Sequence, residues 1–571
     1  MLIAFLSLAG ACASRPANTP TPSAPALPTH ADLLLTNGRI ITLDEARPEA
    51  RALAIGGGVV IAVGNEAELA HFADEHTQVI DLHGALAVPG LIDSHAHLWG
   101  IGAMQRELDL RDTKSWEEIV ERVAHAANSR PNGEWILGRG WHQEKWDHVP
   151  DDALEGWPVK AALDRVAPHN PVVLRHASGH AAIANSKALE LAGAASLSTD
   201  PPGGRILRDA HGEPTGVLNE AAQALVDGEH EADPARRRAL LREEALLAAQ
   251  ECLSKGLTSL VDAGSTLEQV SVLRELAQTG ELPLRLWVML GEPDEVLRGK
   301  LEAQRTIGAG GGFLTVRAIK RYMDGALGSR GAWMLAPYSD APTTSGLPST
   351  SPEALRQSAE LARRAGFQLC VHAIGDRANR EVLDTYERVL GPRAKEKDLR
   401  WRVEHAQHID SMDIPRFGQL GVIASMQGIH CVSDGPWVPQ RIGAERARSG
   451  AYVWRSLLDT GAVVCNGTDA PVEDVDPLPC FRASVTRKLP DGTSFYPEQR
   501  MSRLEALKSY TLWAAYAAFE EDVKGSLAPG KYGDVTVIDR DVLRIPEVEL
   551  AGARVLMTIV GGKVAWKREG H

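Results

Sequence analysis

Eight short apolar runs, most of them separated by helical stretches, recur through the middle of this chain. They span residues 86–95, 257–263, 283–290, 314–322, 367–372, 400–405, 421–426 and 462–468. The helical stretches carry start and stop signals, as in 351–366, where Ser351 is the expected N-cap and Gly366 the stop. Strands that alternate with helices form a parallel sheet. The pattern predicts an α/β fold with a closed (β/α)8 TIM barrel, with a doubly wound open sheet as the alternative.

The two ends of the chain have a different character, because both consist of short strand-like runs. Residues 31–88 include an Asn37-Gly38 pair between apolar runs, and residues 526–571 include a Gly561-Gly562 pair in the same setting. Both pairs are typical of β-hairpin turns. Neither end has enough strands to bury a core by itself. We therefore expect 31–88 and 526–571 to form one composite β-sandwich, with the barrel, 89–525, inserted between them.

One connection in the barrel is far too long for a simple βα unit. The segment 99–256 separates the first expected strand from the second and contains strand-like runs of its own, "WILGRG" and "PVVLRHA". It predicts an inserted subdomain at 103–232, lying over the mouth of the barrel. A helix over 233–255 is expected to return the chain to the barrel.

The first 30 residues look like a targeting segment and a tether. An apolar run ends in "AGAC", which resembles a lipoprotein lipobox with Cys12 as the lipidated residue, and a Pro-rich stretch follows. No Lys or Arg precedes the apolar run, so a frayed N-terminus is the alternative. The pattern predicts export and a lipid anchor at Cys12, as in periplasmic or outer-membrane lipoproteins of Gram-negative bacteria. Membrane contact is expected only through that anchor.

Composition excludes some partners. The formal net charge is -14 and no long basic block occurs, which argues against nucleic acid as a partner and leaves a small-molecule substrate. The other five cysteines are scattered through apolar runs without a CxxC pair, so buried free thiols are expected. The oligomeric state stays open.

Polar residues end five of the expected barrel strands. Strand one ends in His95 and His97, which point the same way because they are two residues apart. The remaining members of the set are Lys320 on strand four, His372 on strand five, His405 on strand six and Asp469 after strand eight. The C-terminal ends of barrel strands meet at one face. Imidazoles and a carboxylate that converge there predict a site for a divalent metal ion of the zinc type.

Taken singly, each of these residues has a plainer interpretation. A strand-end histidine is often simply hydrogen-bonded, Lys320 could extend its amine to solvent, and Asp469 could cap a turn. Weaker candidates for substrate contact are His180 and Asn185 in the insertion, Trp141 near the mouth, and two residues just after strands, Asp324 and His430. A local cap is the alternative for the first pair, and a packed side chain is the alternative for the tryptophan.

Several motifs together resemble one known family. These are "VPGLIDSHAHL", "GWHQEKW", "SGHAAIANSKALELAG", "KRYMDGALGSRGA", "VHAIGDRA", "RVEHAQ", "GTDAPVEDVDPL" and "KGSLAPGKYGDVTVID". The sequence is similar to the amidohydrolase superfamily, specifically its amidohydrolase-3 (YtcJ-like) branch, over nearly all of the chain after the tether. Arg321 departs from the pattern, since many relatives have an apolar residue there. The resemblance implies a metal-dependent hydrolase with one or two Zn²⁺ ions, and a carboxylated Lys320 that bridges them if there are two.

The expected activity follows from the ligand set and the resemblance. A bound cation would make water acidic enough to attack a carbonyl near neutral pH, and Asp469 would take the proton and pass it to the leaving nitrogen. We therefore expect hydrolysis of a C–N bond in a small amide-like, non-peptide or peptide-like substrate. The alternatives are hydrolysis of another carbonyl or phosphoryl bond, and a lipid-anchored binding protein derived from a hydrolase.

Overall fold

The centre of the molecule is a barrel of eight parallel strands. The structure, a computed structural model, describes residues 27–143, 146–176, 181–201, 204–226, 233–391, 394–570. The barrel strands pair in chain order, and they are Leu91–Ala96, Leu257–Ser265, Arg285–Leu290, Leu314–Tyr322, Gln368–Ala373, Arg402–His405, Ile423–Met426 and Val464–Asn466. The predicted (β/α)8 class is confirmed, and the doubly wound alternative is not.

The first and last strands meet through hydrogen bonds beyond the regular ladder. The Asp469 N–H donates to the His95 carbonyl at 2.8 Å, and the Thr468 hydroxyl donates to the Asp93 carboxylate at 2.6 Å. Gly467 is required at this seam, because a Cβ there would lie 2.5 Å from the His95 nitrogen. The barrel is thereby nearly closed at the edge where the polar strand ends lie.

Helices surround the barrel and pack an apolar face on its strands. The longer ones are Leu98–Arg106, Pro234–Ser254, Leu267–Thr279, Pro352–Ala365, Asp376–Leu390 and Pro477–Thr486. The shorter ones are Asp294–Leu297, Leu301–Gln304, Ala309–Gly312, Ile414–Leu420, Gly428–Asp434, Val438–Ile442, Ala444–Gly450, Trp454–Asp459, Arg503–Ser509 and Leu512–Ala517. The helix at 352–365 has the predicted ends, since Ser351 accepts from the Ala354 N–H and Gly366 has φ +68°.

Two further sheets form the composite β-sandwich. The four-stranded sheet has the order Val59–Gly64, Ala52–Gly56, Leu33–Thr36, Gln78–Asp81. The six-stranded sheet has the order Lys563–Lys567, Val555–Val560, Val535–Ile538, Leu86–Pro89, Arg39–Ile41, Glu49–Ala50. Three strands from the C-terminal end and three from the N-terminal end therefore share one sheet and meet where Val535–Ile538 pairs with Leu86–Pro89. A short helix, Glu66–Leu69, follows the strand Val59–Gly64.

Two details of the predicted strands are wrong. The run 86–95 is two strands rather than one, because the chain turns at Gly90, whose N–H donates to the Asp534 carbonyl. The strand before Gly90, Leu86–Pro89, belongs to the sandwich, and the strand after it, Leu91–Ala96, belongs to the barrel. The Asn37-Gly38 pair does not close a hairpin either, since its flanking strands lie in different sheets. The Gly561-Gly562 hairpin is confirmed, with φ of +55° and +74°.

The insertion is a mixed six-stranded sheet with helices. Its strand order is Gly204–Arg208, Pro214–Glu220, Ala181–Ala184, Val172–His176, Ile136–Trp141, Leu108–Asp109. Its helices are Trp116–Ser129, Ala161–Val166 and Ser186–Leu191. The returning helix over 234–254 packs against the barrel helix over 98–106, where Gly102 lies so close that a Cβ would be 2.1 Å from the Glu244 carbonyl.

The five cysteines after the tether are free and buried, as predicted. Cys12 lies outside the described residues, so export and lipid anchoring stay predictions. Among the helices of the described residues, none combines the length and the apolar character needed to cross a membrane.

Candidate metal centre

Barrel strand one brings two imidazoles to the mouth. Asp93 accepts a hydrogen bond from the His95 N–H at 3.0 Å, which fixes the backbone where the strand ends. His95 is fully buried, and His97 begins the next helix with its side chain 34% exposed. The ring centroids lie 5.6 Å apart and nearly perpendicular. One histidine thus faces the barrel interior and the other faces the opening.

Two other site residues have left-handed backbones. His405 has φ +72° and Asp469 has φ +60°, which residues with a Cβ seldom adopt. Such strain persists only where surrounding contacts determine the conformation. At Asp469 that contact is the backbone hydrogen bond to His95. The fold therefore holds two residues in costly conformations so that their side chains reach the mouth.

The structure brings the six predicted metal-site residues to one end of the barrel. The Asp469 Oδ1 lies 3.2 Å from His97 Nε2 and 3.5 Å from His95 Nε2, and its Oδ2 lies 4.0 Å from His405 Nδ1. The His372 and His405 rings are 4.5 Å apart. The Lys320 amine is 3.3 Å from His95 Nε2. His95, His405 and Asp469 each offer a ligand atom within 4.8 Å of the others.

Electrostatics keep these groups in the protonation states that a cation needs. Burial, aided by the nearby Lys320 amine, lowers the pKa of His95 to about 4 and that of His372 to about 3. Burial also lowers the pKa of His405. Burial opposes ionisation of Asp469, but the surrounding imidazoles outweigh it and hold the carboxyl pKa well below its ordinary value. Burial therefore favours the neutral form of His95, His372 and His405, in which a ring nitrogen can bind a cation.

Three buried residues that the sequence did not suggest orient the imidazoles. Glu404 Oε2 lies 2.5 Å from His95 Nδ1, and the Arg402 guanidinium lies 2.7 Å from Glu404 Oε1. Gln427 Oε1 lies 2.8 Å from His405 Nδ1. Such partners leave the other ring nitrogen for a metal ion. The signal available in the sequence was the pair of charges in "RVE", two residues apart within a buried strand.

The donor set fits a divalent ion. Neutral imidazoles and an ionised carboxylate are the forms that bind metal, and Nε2 of His372 is buried with no hydrogen-bond partner among the described residues. An unpartnered buried nitrogen is costly unless something binds it. The structure supports a possible divalent metal centre, and the identity of the metal and the ligand role of each residue stay predictions.

Two predicted substrate contacts are corrected. Asn185 is fully buried and its carboxamide is saturated, since it accepts from the N–H groups of Val172 and Ala188 and donates to the carbonyls of Ala167 and Asn170. It caps a helix of the insertion.

Trp141 is equally a packing residue. Its indole donates to the Leu174 carbonyl at 2.9 Å, and its ring stacks on Trp146 in the core of the insertion. The third candidate from the insertion, His180, lies outside the described residues.

The two candidates after strands do lie near the centre. Asp324 accepts from the backbone N–H groups of Trp333, Ile374 and Gly375, and its Oδ1 is 3.5 Å from His372 Nε2. Its oxygens are thus occupied by the loop that holds His372, which makes it a positioning residue rather than a substrate contact. His430 is buried, with Nε2 3.9 Å from the Asp469 carboxylate.

The chain is similar to a known family and to several proteins over most of its length. The profile of the Amidohydrolase family matches residues 78–565. "Protein LONG AFTER FAR-RED 3" of Arabidopsis thaliana is 36% identical over 549 residues, which cover 93% of this chain and 91% of that protein. "Putative amidohydrolase YtcJ" of Bacillus subtilis (strain 168) is 32% identical over 540 residues, with coverage of 93% and 98%. "N-substituted formamide deformylase" of Arthrobacter pascens is 29% identical over 554 residues, with coverage of 94% and 99%.

Among solved structures, an uncharacterized metal-dependent hydrolase from Pyrococcus horikoshii OT3 has a similar fold. Its TM-score is 0.74 at 28% sequence identity, and the match covers 90% of this chain and 99% of that one.

Proposed function

We propose that this chain, which belongs to the Amidohydrolase family, is a metal-dependent hydrolase that cleaves a C–N bond in a small amide-like substrate. The observation that carries the proposal is the convergence of the Asp469 carboxylate with the imidazoles of His95, His97 and His405, all within 4.0 Å of it. Neutral nitrogen donors around one ionised carboxylate suit a hydrolytic metal centre.

The residues have distinct tasks in this proposal. His95, His97, His372, His405 and Asp469 would hold the cation. When bound, the cation supplies polarisation of the substrate carbonyl and acidification of water. Asp469 takes a proton from the attacking water and donates it to the leaving nitrogen, which departs as a neutral amine. Glu404 and Gln427 keep the imidazoles oriented while this proton moves.

The C–N class is supported by a relative. A protein named N-substituted formamide deformylase is similar over 94% of this chain, and its name describes hydrolysis at an amide nitrogen. The same centre is chemically competent for other carbonyl and phosphoryl bonds, which makes that class the alternative. A binding protein without activity is disfavoured because the cluster is complete and its ionisation states suit a cation.

The test is a substrate panel on the zinc-loaded protein with measured metal content. The panel contains N-formyl amines, N-acyl amino acids, cyclic imides, dipeptides, carboxylic esters and phosphate esters. We expect turnover in the amide or imide group, abolished by Asp469→Asn. Turnover confined to phosphate esters would refute the C–N assignment, and absence of metal from the loaded protein would refute the enzyme class.

We further propose that Lys320 is carboxylated and helps to hold a second ion. Its amine is buried at the centre, and burial lowers its pKa, so a larger fraction is the neutral nucleophile. In the step, the neutral Nζ attacks the carbon of CO₂, an N–C bond forms and one proton leaves to solvent. The product is an anionic carbamate, which can bind cations where an ammonium could not.

Lys320→Ala should lower the number of bound zinc ions and the rate, and bicarbonate or a short carboxylate should partly restore the rate. Lys524 offers a matched control, because its amine is also buried but donates to Ser259, whose backbone pairs with Arg285 near the start of the barrel strands. Lys524→Ala should change stability without changing zinc content. Full zinc content and full activity in Lys320→Ala would show that the lysine is structural and the centre mononuclear.

A further inference from the structure

His430 lies beside the proposed centre, and the proposal above gives it no part in holding the cation. His430 is on the helix Gly428–Asp434, which follows barrel strand seven, and its side chain is 9% exposed. Its ring is nearly parallel to that of His405, with centroids 6.4 Å apart. Its Nε2 lies 3.9 Å from the Asp469 carboxylate, too far for a hydrogen bond, and has no partner among the described residues.

The other ring nitrogen of His430 is occupied. Gln407 Nε2 donates to His430 Nδ1 at 3.2 Å, and a nitrogen that accepts a hydrogen bond carries no proton. The neutral ring therefore carries its proton on Nε2. That N–H points to the space beside Asp469, where nothing in the described chain receives it.

Tyr452 bonds to the backbone of Gln407 and to the helix that carries His430. The Gln407 carbonyl accepts from the Tyr452 N–H at 2.7 Å, and the Tyr452 hydroxyl donates to Asp434, the last residue of the helix that carries His430. Tyr452 has φ +53°, an unfavourable value for a tyrosine. Tyr452 thus bonds both to Gln407 and to the helix that carries His430. These two bonds fix the position of Gln407 relative to His430.

We propose that neutral His430 donates a hydrogen bond from Nε2 to the substrate oxygen that gains negative charge during attack, and that Gln407 is the residue that positions its proton. This inference rests on the proposed function. The attacked carbonyl must lie near Asp469, because Asp469 handles the proton of the attacking water. The His430 N–H is then within reach of the developing oxyanion, and preorganised donors of this kind strongly favour the transition state. No proton leaves His430.

The first test measures the tautomer and does not depend on activity. Zinc-loaded protein labelled with ¹⁵N-histidine is studied by NMR, with the His430 signals assigned from the spectrum of His430→Asn. We expect a protonated Nε2 and a bare Nδ1 in the wild type. Gln407→Glu offers an acceptor in place of the donor and should place a proton on Nδ1. A wild-type Nδ1 that already carries a proton would overturn the role of Gln407.

The second test is kinetic. His430→Phe should lower kcat about 100-fold with KM changed by less than about 3-fold, the effect of losing one oxyanion donor. His430→Asn keeps an N–H donor and should recover part of the loss, and Gln407→Glu should resemble His430→Phe. Zinc content should equal that of the wild type in all three.

Gln368→Met is the matched control, because Gln368 is a buried glutamine whose amide donates to the Arg400 and Ala517 carbonyls away from the mouth. It should keep kcat. Unchanged kcat in His430→Phe, or loss of zinc from that variant, would overturn the inference. If the wild type hydrolyses no member of the panel, the proposed function fails, while the NMR result still decides the tautomer.

Discussion

At the scale of single residues, the arrangement of the centre depends on a buried charge pair beneath it. Arg402 and Glu404 are both fully buried, and burial raises the Glu404 pKa less than Arg402 and His95 lower it, so the carboxylate is ionised. It accepts from His95 Nδ1 and leaves Nε2 toward the cluster. This buried pair therefore fixes the orientation of the His95 ring.

Glu404→Gln should weaken zinc binding by about 10- to 100-fold, because a neutral amide orients His95 less firmly and lowers its basicity as a ligand. The measurement is competition for zinc against a chelator of known affinity. Glu505→Gln is the control, since Glu505 pairs with Arg455 in a helix cap outside the cluster. Equal zinc affinity in wild type and Glu404→Gln would show that Glu404 contributes only to folding.

His408 provides a prediction about pH. It is buried, neither ring nitrogen has a hydrogen-bond partner among the described residues, and burial together with Arg446 lowers its pKa to about 3. In the unfolded chain His408 takes up a proton as the pH falls below about 6.5, whereas in the folded protein it stays neutral down to about pH 3. Protonation therefore favours the unfolded state, and the free energy of unfolding decreases as the pH falls below about 6.5. Relative to His408→Leu, the wild type should lose about 2 kcal/mol between pH 7 and pH 5.

The measurement is the urea midpoint of each protein at both pH values. Parallel changes in wild type and His408→Leu would mean that the imidazole protonates freely in the folded protein.

Residue types at strand ends were predictable, whereas Glu404 was not. Alternation places His95 and His97 on one side and was sufficient to find them. The same rule sends Glu404 and His405 to opposite sides. Both reach the centre because His405 has a left-handed backbone, and nothing in "RVEHAQ" announces that conformation. The roles of Asn185 and Trp141 also required the packing of the insertion to be known.

At the scale of elements, Asn185 joins three segments of the insertion. Its carboxamide caps the helix Ser186–Leu191 and bonds to the strand Val172–His176 and to the Ala167 carbonyl. Asn185→Ala would leave several buried backbone groups without partners, at a cost of about 1–3 kcal/mol for each unsatisfied group. We expect faster proteolysis within the insertion and unchanged zinc content.

Asn185→Asp keeps an oxygen that can accept from the Val172 and Ala188 N–H groups but removes the two N–H donors, and it should be intermediate in proteolysis. A large rise in KM for either variant, with normal resistance to protease, would restore the prediction that Asn185 contacts substrate.

The positions of strands and helices were predictable from apolar runs and caps. The strand with which each strand pairs was less predictable. The run 314–322 is a strand with those bounds, because it is apolar and uninterrupted. The run 86–95 looked equally continuous, yet it divides at Gly90 between two domains. The Asn37-Gly38 pair has the composition of a hairpin, but long-range pairing places its two strands in separate sheets. Local sequence determines that a turn occurs and does not determine which sheet receives the next strand.

At the scale of the whole molecule, the sandwich depends on both ends of the chain. The strand Val535–Ile538 pairs on one side with Leu86–Pro89 and on the other with Val555–Val560. Removal of 526–571 would therefore leave one edge of Leu86–Pro89, the strand that leads into barrel strand one, without its hydrogen-bonded neighbour. Limited proteolysis of the truncated chain should cleave within 31–88, and equal protection there would contradict the composite domain.

The sandwich and the barrel are connected by a buried ion pair. Asp534, just before a sandwich strand, accepts two hydrogen bonds from Arg285 on barrel strand three, at 2.7 and 3.0 Å, and both side chains are at most 5% exposed. The guanidinium lies over Tyr532 at 3.8 Å and near Phe313 at 4.6 Å. Asp534 also accepts from the Gly561 N–H. One carboxylate thus bonds to the barrel and to the final hairpin.

Asp534→Ala should destabilise the protein by about 3–5 kcal/mol, because it leaves the Arg285 charge buried without its partner. The double variant Arg285→Met, Asp534→Leu removes both charges and should recover most of that loss, since apolar residues of similar volume can replace a buried pair. The measurement is the thermal midpoint of both variants beside Asp541→Ala, which removes a partly exposed pair with Arg39. We expect Asp541→Ala to change the midpoint little. An Asp534→Ala midpoint equal to that of Asp541→Ala would mean that the barrel and the sandwich are held together by apolar packing alone.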